Sequence, residues 1–99
     1  MPAYAIVLVD VTDKEQYSKY TQATPTVIAQ FGGKFIVRGG ETATLEGEEE
    51  KRRVVVIEFP SFEQVQAFYQ SEEYQRVKKL RSGAATMTFI VADGCSPLS

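Results

Sequence analysis

Histidine is absent from this chain of 99 residues. That removes at once the commonest general base and the commonest metal ligand. A single cysteine, Cys95, excludes an internal disulfide; with no CxxC partner and no neighbouring base it is expected to be inert. No apolar stretch approaches the ~20 residues needed to cross a bilayer. The opening segment MPAYAIVLVDVTD has no basic leader region and is broken by Asp10, which is unlike a signal peptide, so the cytoplasm is the expected compartment. An excess of positive charge is missing too. The formal net charge is −2, whereas neutralising phosphates takes clustered Lys and Arg. The basic runs Lys51-Arg52-Arg53 and Lys78-Lys79-Leu80-Arg81 are short; the first directly follows three glutamates, and the second fits the exposed face of a helix. Neither a nucleic-acid partner nor a membrane is expected. Internal repeats and low-complexity segments are also lacking.

The remaining 43% hydrophobic and 24% charged residues describe an ordinary globular chain, long enough for one domain and one core. That domain is expected to span residues 1–99, with its core over about 3–92 and a tail over 93–99. Ala3 to Val11 is a short continuous apolar run, a strand with Tyr4, Ile6 and Leu8 on one face and Ala5, Val7, Val9 and Val11 on the other. Asp13 with Gln16 forms a capping-box pattern opening a helix, whose stripe is Tyr17, Tyr20, Thr24, Val27, Ile28 and Phe31. Thr24-Pro25 suits a new N-cap followed by proline, so a kink or two abutting helices are expected there. Gly32-Gly33 supplies the stop.

Lys34–Arg38 and Arg53–Phe59 read as strands rich in β-branched and aromatic residues, joined by a long acidic connection from Glu41 to Lys51. Ser61 and Gln64 open a second helix with Val65, Phe68 and Tyr69 inward. Ser71 restarts the helical pattern, which continues through Val77 and Leu80 to Ser82-Gly83. Thr86 to Ala92 is the last strand. Strand, helix, strand, strand, helix, strand gives a ferredoxin-like βαββαβ fold of the α+β class: a four-stranded antiparallel sheet with helices on one face. The first and third strands are apolar on both faces, so a monomer would expose a large apolar patch. A second copy packed sheet against sheet about a twofold axis would cover it, and a homodimer is expected.

Asp10-Val11-Thr12-Asp13, Tyr17 and Tyr20, Gly32-Gly33, Arg38-Gly39-Gly40, Leu45-Glu46-Gly47, Arg53-Val54-Val55, Glu58-Phe59-Pro60, Ser71-Glu72-Glu73-Tyr74 and Arg81 stand in the order and spacing of one family. In these motifs the chain resembles the domain-of-unknown-function 1330 family, over roughly Tyr4 to Asp93. The resemblance implies a dimeric α/β barrel, two ferredoxin-like subunits with facing sheets. The wider superfamily includes cofactor-free monooxygenases, isomerases, chlorite-dismutase-like haem proteins and stress-responsive proteins, and fold does not select among them. The absence of histidine excludes a haem held by a proximal histidine. No cofactor and no metal are expected.

Candidate chemistry centres on Arg38-Gly39-Gly40. Counting along the strand puts Arg38 on the face of Ile36, and the two glycines would let backbone amides converge on an anion such as the carboxylate or enolate of a small organic acid. The alternative is a strand-end arginine at a glycine-assisted bulge. Glu58 follows Val54 and Val56 on an apolar face, opposite to that of Arg53; burial there would raise its pKa and suit it to proton transfer. The alternative, which the residues favour somewhat, is a buried ion pair with Arg38 or Arg81 that fixes packing. Asp10 is either an acid–base partner or a turn cap. Tyr20 and Tyr74, with Tyr17 and Arg81, would orient a ligand between helices and sheet, or else serve as core residues with one hydrogen bond each. The cluster Glu46-Gly47-Glu48-Glu49-Glu50 lacks a fixed set of six to eight oxygens for calcium and reads as a solvated loop. Three readings follow: a small-molecule binder or cofactor-independent enzyme built on Arg38, Glu58 and Asp10, a non-catalytic stress-response module, and a structural dimerisation domain.

Overall fold

The structure, a computed structural model, describes residues 1–95. Its elements are β1 (Ala3–Val11), α1 (Lys14–Gln30), β2 (Lys34–Arg38), β3 (Arg53–Phe59), α2 (Phe62–Gln70), α3 (Glu72–Lys78), a 3-10 turn (Lys79–Arg81) and β4 (Ala85–Asp93). The four strands form one antiparallel sheet in the order β2-β3-β1-β4, the ferredoxin-like arrangement expected from the sequence. β4 extends one residue beyond the expected strand at each end, so Asp93 belongs to the sheet. The rest of the expected tail beyond Cys95 lies outside the described residues. No helix among the described residues is long and apolar enough to cross a membrane.

Alternation along the strands sorts the sheet into two faces. Ala3, Ala5, Val7 and Val9 of β1 and Val55, Ile57 and Phe59 of β3 are buried under the helices. Phe59, Phe68 and Tyr74 are almost wholly buried at the centre of that layer, and their rings form a run: Phe59 to Phe68 at 5.2 Å and Phe68 to Tyr74 at 4.6 Å between centroids. The opposite face carries Ile6, Leu8, Val54 and Val56, all half-buried, together with Ile90, which is 53% exposed. No helix among the described residues covers this second apolar face.

The helix starts obey their capping chemistry. Asp13 accepts from the Gln16 amide, Ser61 from the Gln64 amide and Ser71 from the Tyr74 amide. The first capping box is only half formed, because the Gln16 side chain donates to the Leu80 carbonyl and ties α1 to the 3-10 turn. Gly32, at φ 78°, ends α1 as expected. The expected break at Pro25 does not occur: α1 runs through it as one helix. Proline has no N–H, so the Thr21 carbonyl one turn earlier loses its backbone donor. Arg38 Nη2 supplies one instead, at 2.9 Å, with a weaker contact from Thr24 Oγ1 at 3.4 Å.

β2 departs from simple alternation. Lys34 pairs with Glu58 and Phe35 with Ile57, but Val37 pairs with Val56 and Arg38 with Val55, so the register shifts by one residue at Ile36. A bulge of this kind moves every later side chain to the other face. Arg38 therefore does not share the face of Ile36. It joins Phe35 on the helix side, where its guanidinium lies 4.2 Å from the Phe35 ring centroid.

Candidate functional site

Two adjoining hollows lie beside α1. The inner one, about 30 Å³, sits between α1, α2 and the sheet, lined chiefly by Val7, Val9, Tyr17, Tyr20, Phe35, Phe68, Met87 and Phe89, with Arg38 and Arg53 as its only charged residues. It has room for one or two waters and no more. The outer one is an open cleft of about 520 Å³ between the end of β1, the first half of α1 and the root of the β2–β3 connection. Tyr17, Thr21 and Arg53 line both. They form the wall between cleft and interior.

Arg53 sits there because of strand parity. It opens β3 on the side of Val55, Ile57 and Phe59, and so turns toward the helices. Its guanidinium packs against Gly39, where φ is 72° and any Cβ would collide with the Arg53 head. It also lies beside the Tyr17 hydroxyl. Burial raises the Tyr17 pKa, and the nearby Arg53 charge opposes that rise without cancelling it, so the phenol stays protonated at neutral pH. Arg53 Nε is buried and has no hydrogen-bond partner, and no ion pair among the described residues involves Arg53.

Charge in the cleft has one sign. Lys14, Lys51 and Arg53 line it with their charges, whereas the Arg52 guanidinium reaches Thr88 on the uncovered sheet face; no carboxylate among the described residues lines the cleft. Glu50 already holds Arg52 through its backbone and side-chain donors, the shortest at 2.8 Å, and these bonds pull the Glu50 carboxyl down to about 2. Gly39 and Gly40, expected from the sequence to let amides converge on an anion, line the same cleft. They do not form the expected pair of free amides, however: the Gly39 N–H donates to the Val54 carbonyl and closes the hairpin.

The other sequence-derived candidates divide. Glu58 lies on the uncovered face, where Tyr4 Oη donates to it at 3.2 Å and Lys34 pairs with it at 3.2 Å. Its ion-pair partner is thus Lys34, its cross-strand neighbour, rather than Arg38 or Arg81. Asp10 is exposed on that same face, opposite Thr86. Arg38 cannot share a cavity with either acid, because the sheet separates them. Tyr20 and Tyr74 are buried and joined hydroxyl to hydroxyl at 2.8 Å, the arrangement of core tyrosines with one satisfied bond. The Arg81 guanidinium lies 5.5 Å from the Tyr20 ring centroid; burial pulls its pKa down, but the neighbouring Tyr74 and Tyr20 hydroxyls raise it further. Arg53, Lys14 and Thr21 were missed as site residues. Arg53 alone left a signal in the sequence, as a charge on one apolar face of its strand, opposite to Glu58.

Comparison with known proteins agrees with this architecture. The family model described as Domain of unknown function (DUF1330) matches residues 2–95. Among solved structures, a protein of unknown function from Rhodopseudomonas palustris superposes with a TM-score of 0.75 at 22% identity, over 97% of this chain and 84% of that one. A dimeric ferredoxin-like protein of unknown function from Jannaschia gives 0.67 at 12% identity, over 95% and 100%. SnoaB, a cofactor-independent oxygenase from Streptomyces nogalater, gives 0.68 at 10% identity, over 98% and 96%. These likenesses establish the fold. No curated protein matches the chain.

Proposed function

The chain belongs to the DUF1330 family, and on that premise we propose that it is a homodimeric protein that binds a small organic acid in the basic cleft of each subunit. The observation that carries this reading is Arg53, a half-buried guanidinium with an unpartnered Nε and no ion-pair partner among the described residues. A half-buried cation with a desolvated, unpaired N–H gives up hydration without return. An incoming carboxylate would supply the missing charge and bidentate acceptor. Lys14 and Lys51 at the rim would add attraction, and the cleft volume falls within the ~300–1,000 Å³ of small-molecule sites.

The same lining bears on turnover. Its ionisable groups are cations and a tyrosine kept protonated, so the cleft is suited to holding an anion rather than to removing a proton from one. Glu58 and Asp10, the acids expected to do that work, face away from it. Binding without side-chain acid–base catalysis is therefore the favoured form of the reading. Chemistry of the cofactor-independent kind would rest on the reactivity of the substrate itself, with Arg53 stabilising developing negative charge. The dimeric description of a similar fold supports a homodimer, and the uncovered apolar sheet face is the surface such a dimer would bury. A purely structural dimerisation module is the second reading, favoured by how little space the interior leaves.

A thermal-shift comparison of phenylacetate with its neutral amide tests the proposal. At a hundred times its dissociation constant a ligand stabilises the native state by ~2.7 kcal/mol, a rise of roughly 10 °C or more for a domain of this size. Phenylacetate is expected to raise the midpoint of the wild type and not that of Arg53→Met, while the amide moves neither. Equal shifts with acid and amide, or a full response in Arg53→Met, would contradict an anion site at Arg53.

A further inference from the structure

Arg38 closes the edge of the sheet onto α1. It projects from the last residue of β2, an edge strand, and donates to the Thr21 carbonyl across the gap. That carbonyl lacks its helical donor because Pro25 has no N–H, so Arg38 is its main partner. Arg38 is itself exposed, yet it lines the inner cavity, so it stands at the mouth. No carboxylate among the described residues pairs with it. Its present acceptor is a neutral carbonyl, a weaker partner than a carboxylate by roughly a factor of two.

We infer that Arg38 is a latch whose guanidinium moves from the Thr21 carbonyl to the carboxylate of a bound ligand, so opening the inner cavity to an apolar ring carried by that ligand. The inference rests on the anion-binding reading of the cleft and adds the ligand class, an aryl carboxylate. Three observations meet in it. Thr21 lies in the wall common to cleft and cavity, so a guanidinium bonded to it stands beside the cleft. The inner lining beyond the latch is aromatic, with Tyr17, Tyr20, Phe35, Phe68 and Phe89. And the closed cavity of about 30 Å³ is too small for a ring, since engineered cavities that take up benzene measure about 150 Å³. Moving Arg38 off the Phe35 ring is the change that enlarges it at its open side.

The latch can be tested with and without ligand. Pro25→Ala restores the backbone donor to Thr21 and leaves Arg38 with a weaker hold. In the ligand-free protein, Arg38→Met is expected to lower the melting midpoint by a few degrees in the wild-type background and by much less in Pro25→Ala. Equal effects in the two backgrounds would overturn the latch. In titrations, Pro25→Ala is expected to bind phenylacetate about fivefold more tightly than wild type, the gain of releasing one hydrogen bond. Acetate, which has the carboxylate without the ring, is expected to bind wild type at least about tenfold more weakly than phenylacetate. Unchanged affinity in Pro25→Ala would overturn the ligand-driven transfer, and equal affinities of the two acids would overturn insertion of the ring. Should phenylacetate bind neither protein while the ligand-free backgrounds still differ, the cleft reading falls, the ligand step falls with it, and Arg38 remains a structural clasp.

Discussion

Val56→Asp is expected to convert the protein from dimer to monomer without unfolding it. Val56 lies on the uncovered sheet face, paired with Ile6 across β1 and with Val37 across β2. Its half-buried side chain points away from the helices, so an aspartate there keeps access to solvent in the monomer and costs the fold about 1 kcal/mol. In the proposed dimer the same carboxylate would be buried against the apolar face of the partner, once in each subunit. An uncompensated buried charge costs about 3–5 kcal/mol, so self-association should weaken by at least about a thousandfold. Sedimentation equilibrium reads this directly, and far-UV circular dichroism checks that the monomer keeps its fold. A variant that stays dimeric at the wild-type dissociation constant would show that the subunits meet elsewhere.

Phe68→Ala is expected to be among the most damaging substitutions in the chain. Phe68 is 1% exposed and its ring meets those of Phe31, Phe59 and Tyr74. It is the side chain through which α2 grips both α1 and the sheet. Truncation removes the transfer energy of the ring and leaves a void, together about 3–5 kcal/mol. Against a total of about 5–15 kcal/mol for a domain, that is roughly a fifth of the stability at the least. The midpoint should fall by at least about 12 °C. Chemical denaturation with the slope unchanged would give the free energy cleanly. A loss below about 1 kcal/mol would mean that the aromatic run between α2 and the sheet is not what holds the two layers together.

Much of the fold was legible because its signals were local. β1, β2 and β3 begin and end where alternation, glycine and proline place them, and all three N-caps sit on the residues whose side chains suit the role. The apolar second face was legible for the same reason: Ile6, Leu8, Val54 and Val56 have no helix to meet. Two features were not. Pro25 looked like a break because the rescue of its orphaned Thr21 carbonyl comes from Arg38, 17 residues away in the chain. The bulge at Ile36 inverts parity, so counting from Ile36 put Arg38 on the wrong face.

The candidate site was legible in part, and its errors have one cause. On a strand apolar on both faces, counting by two shows that Glu58 and Arg53 point in opposite directions, as they do, but not which of them points toward the helices. The sequence reading followed the carboxylate, whose burial would have suited catalysis. The helices cover the Arg53 side instead, and Glu58 meets Lys34 and Tyr4 on the other. Arg38, Gly39 and Gly40 survive as lining of the two hollows, although the Gly39 amide is committed to the hairpin. The acidic connection after Gly40 contributes no carboxylate to the cleft. Its Glu50 anchors Arg52 instead.

The most direct measurement of the central claim is a titration of phenylacetate into isotope-labelled protein, followed residue by residue by NMR. Saturable shifts are expected at Lys14, Thr21, Gly39 and Gly40 and at the Arg53 side chain, with Tyr4, Glu58 and Ile90 unmoved. Absence of saturable shifts at millimolar ligand, or shifts gathered on the Tyr4–Glu58 face, would contradict an organic-acid site in the basic cleft.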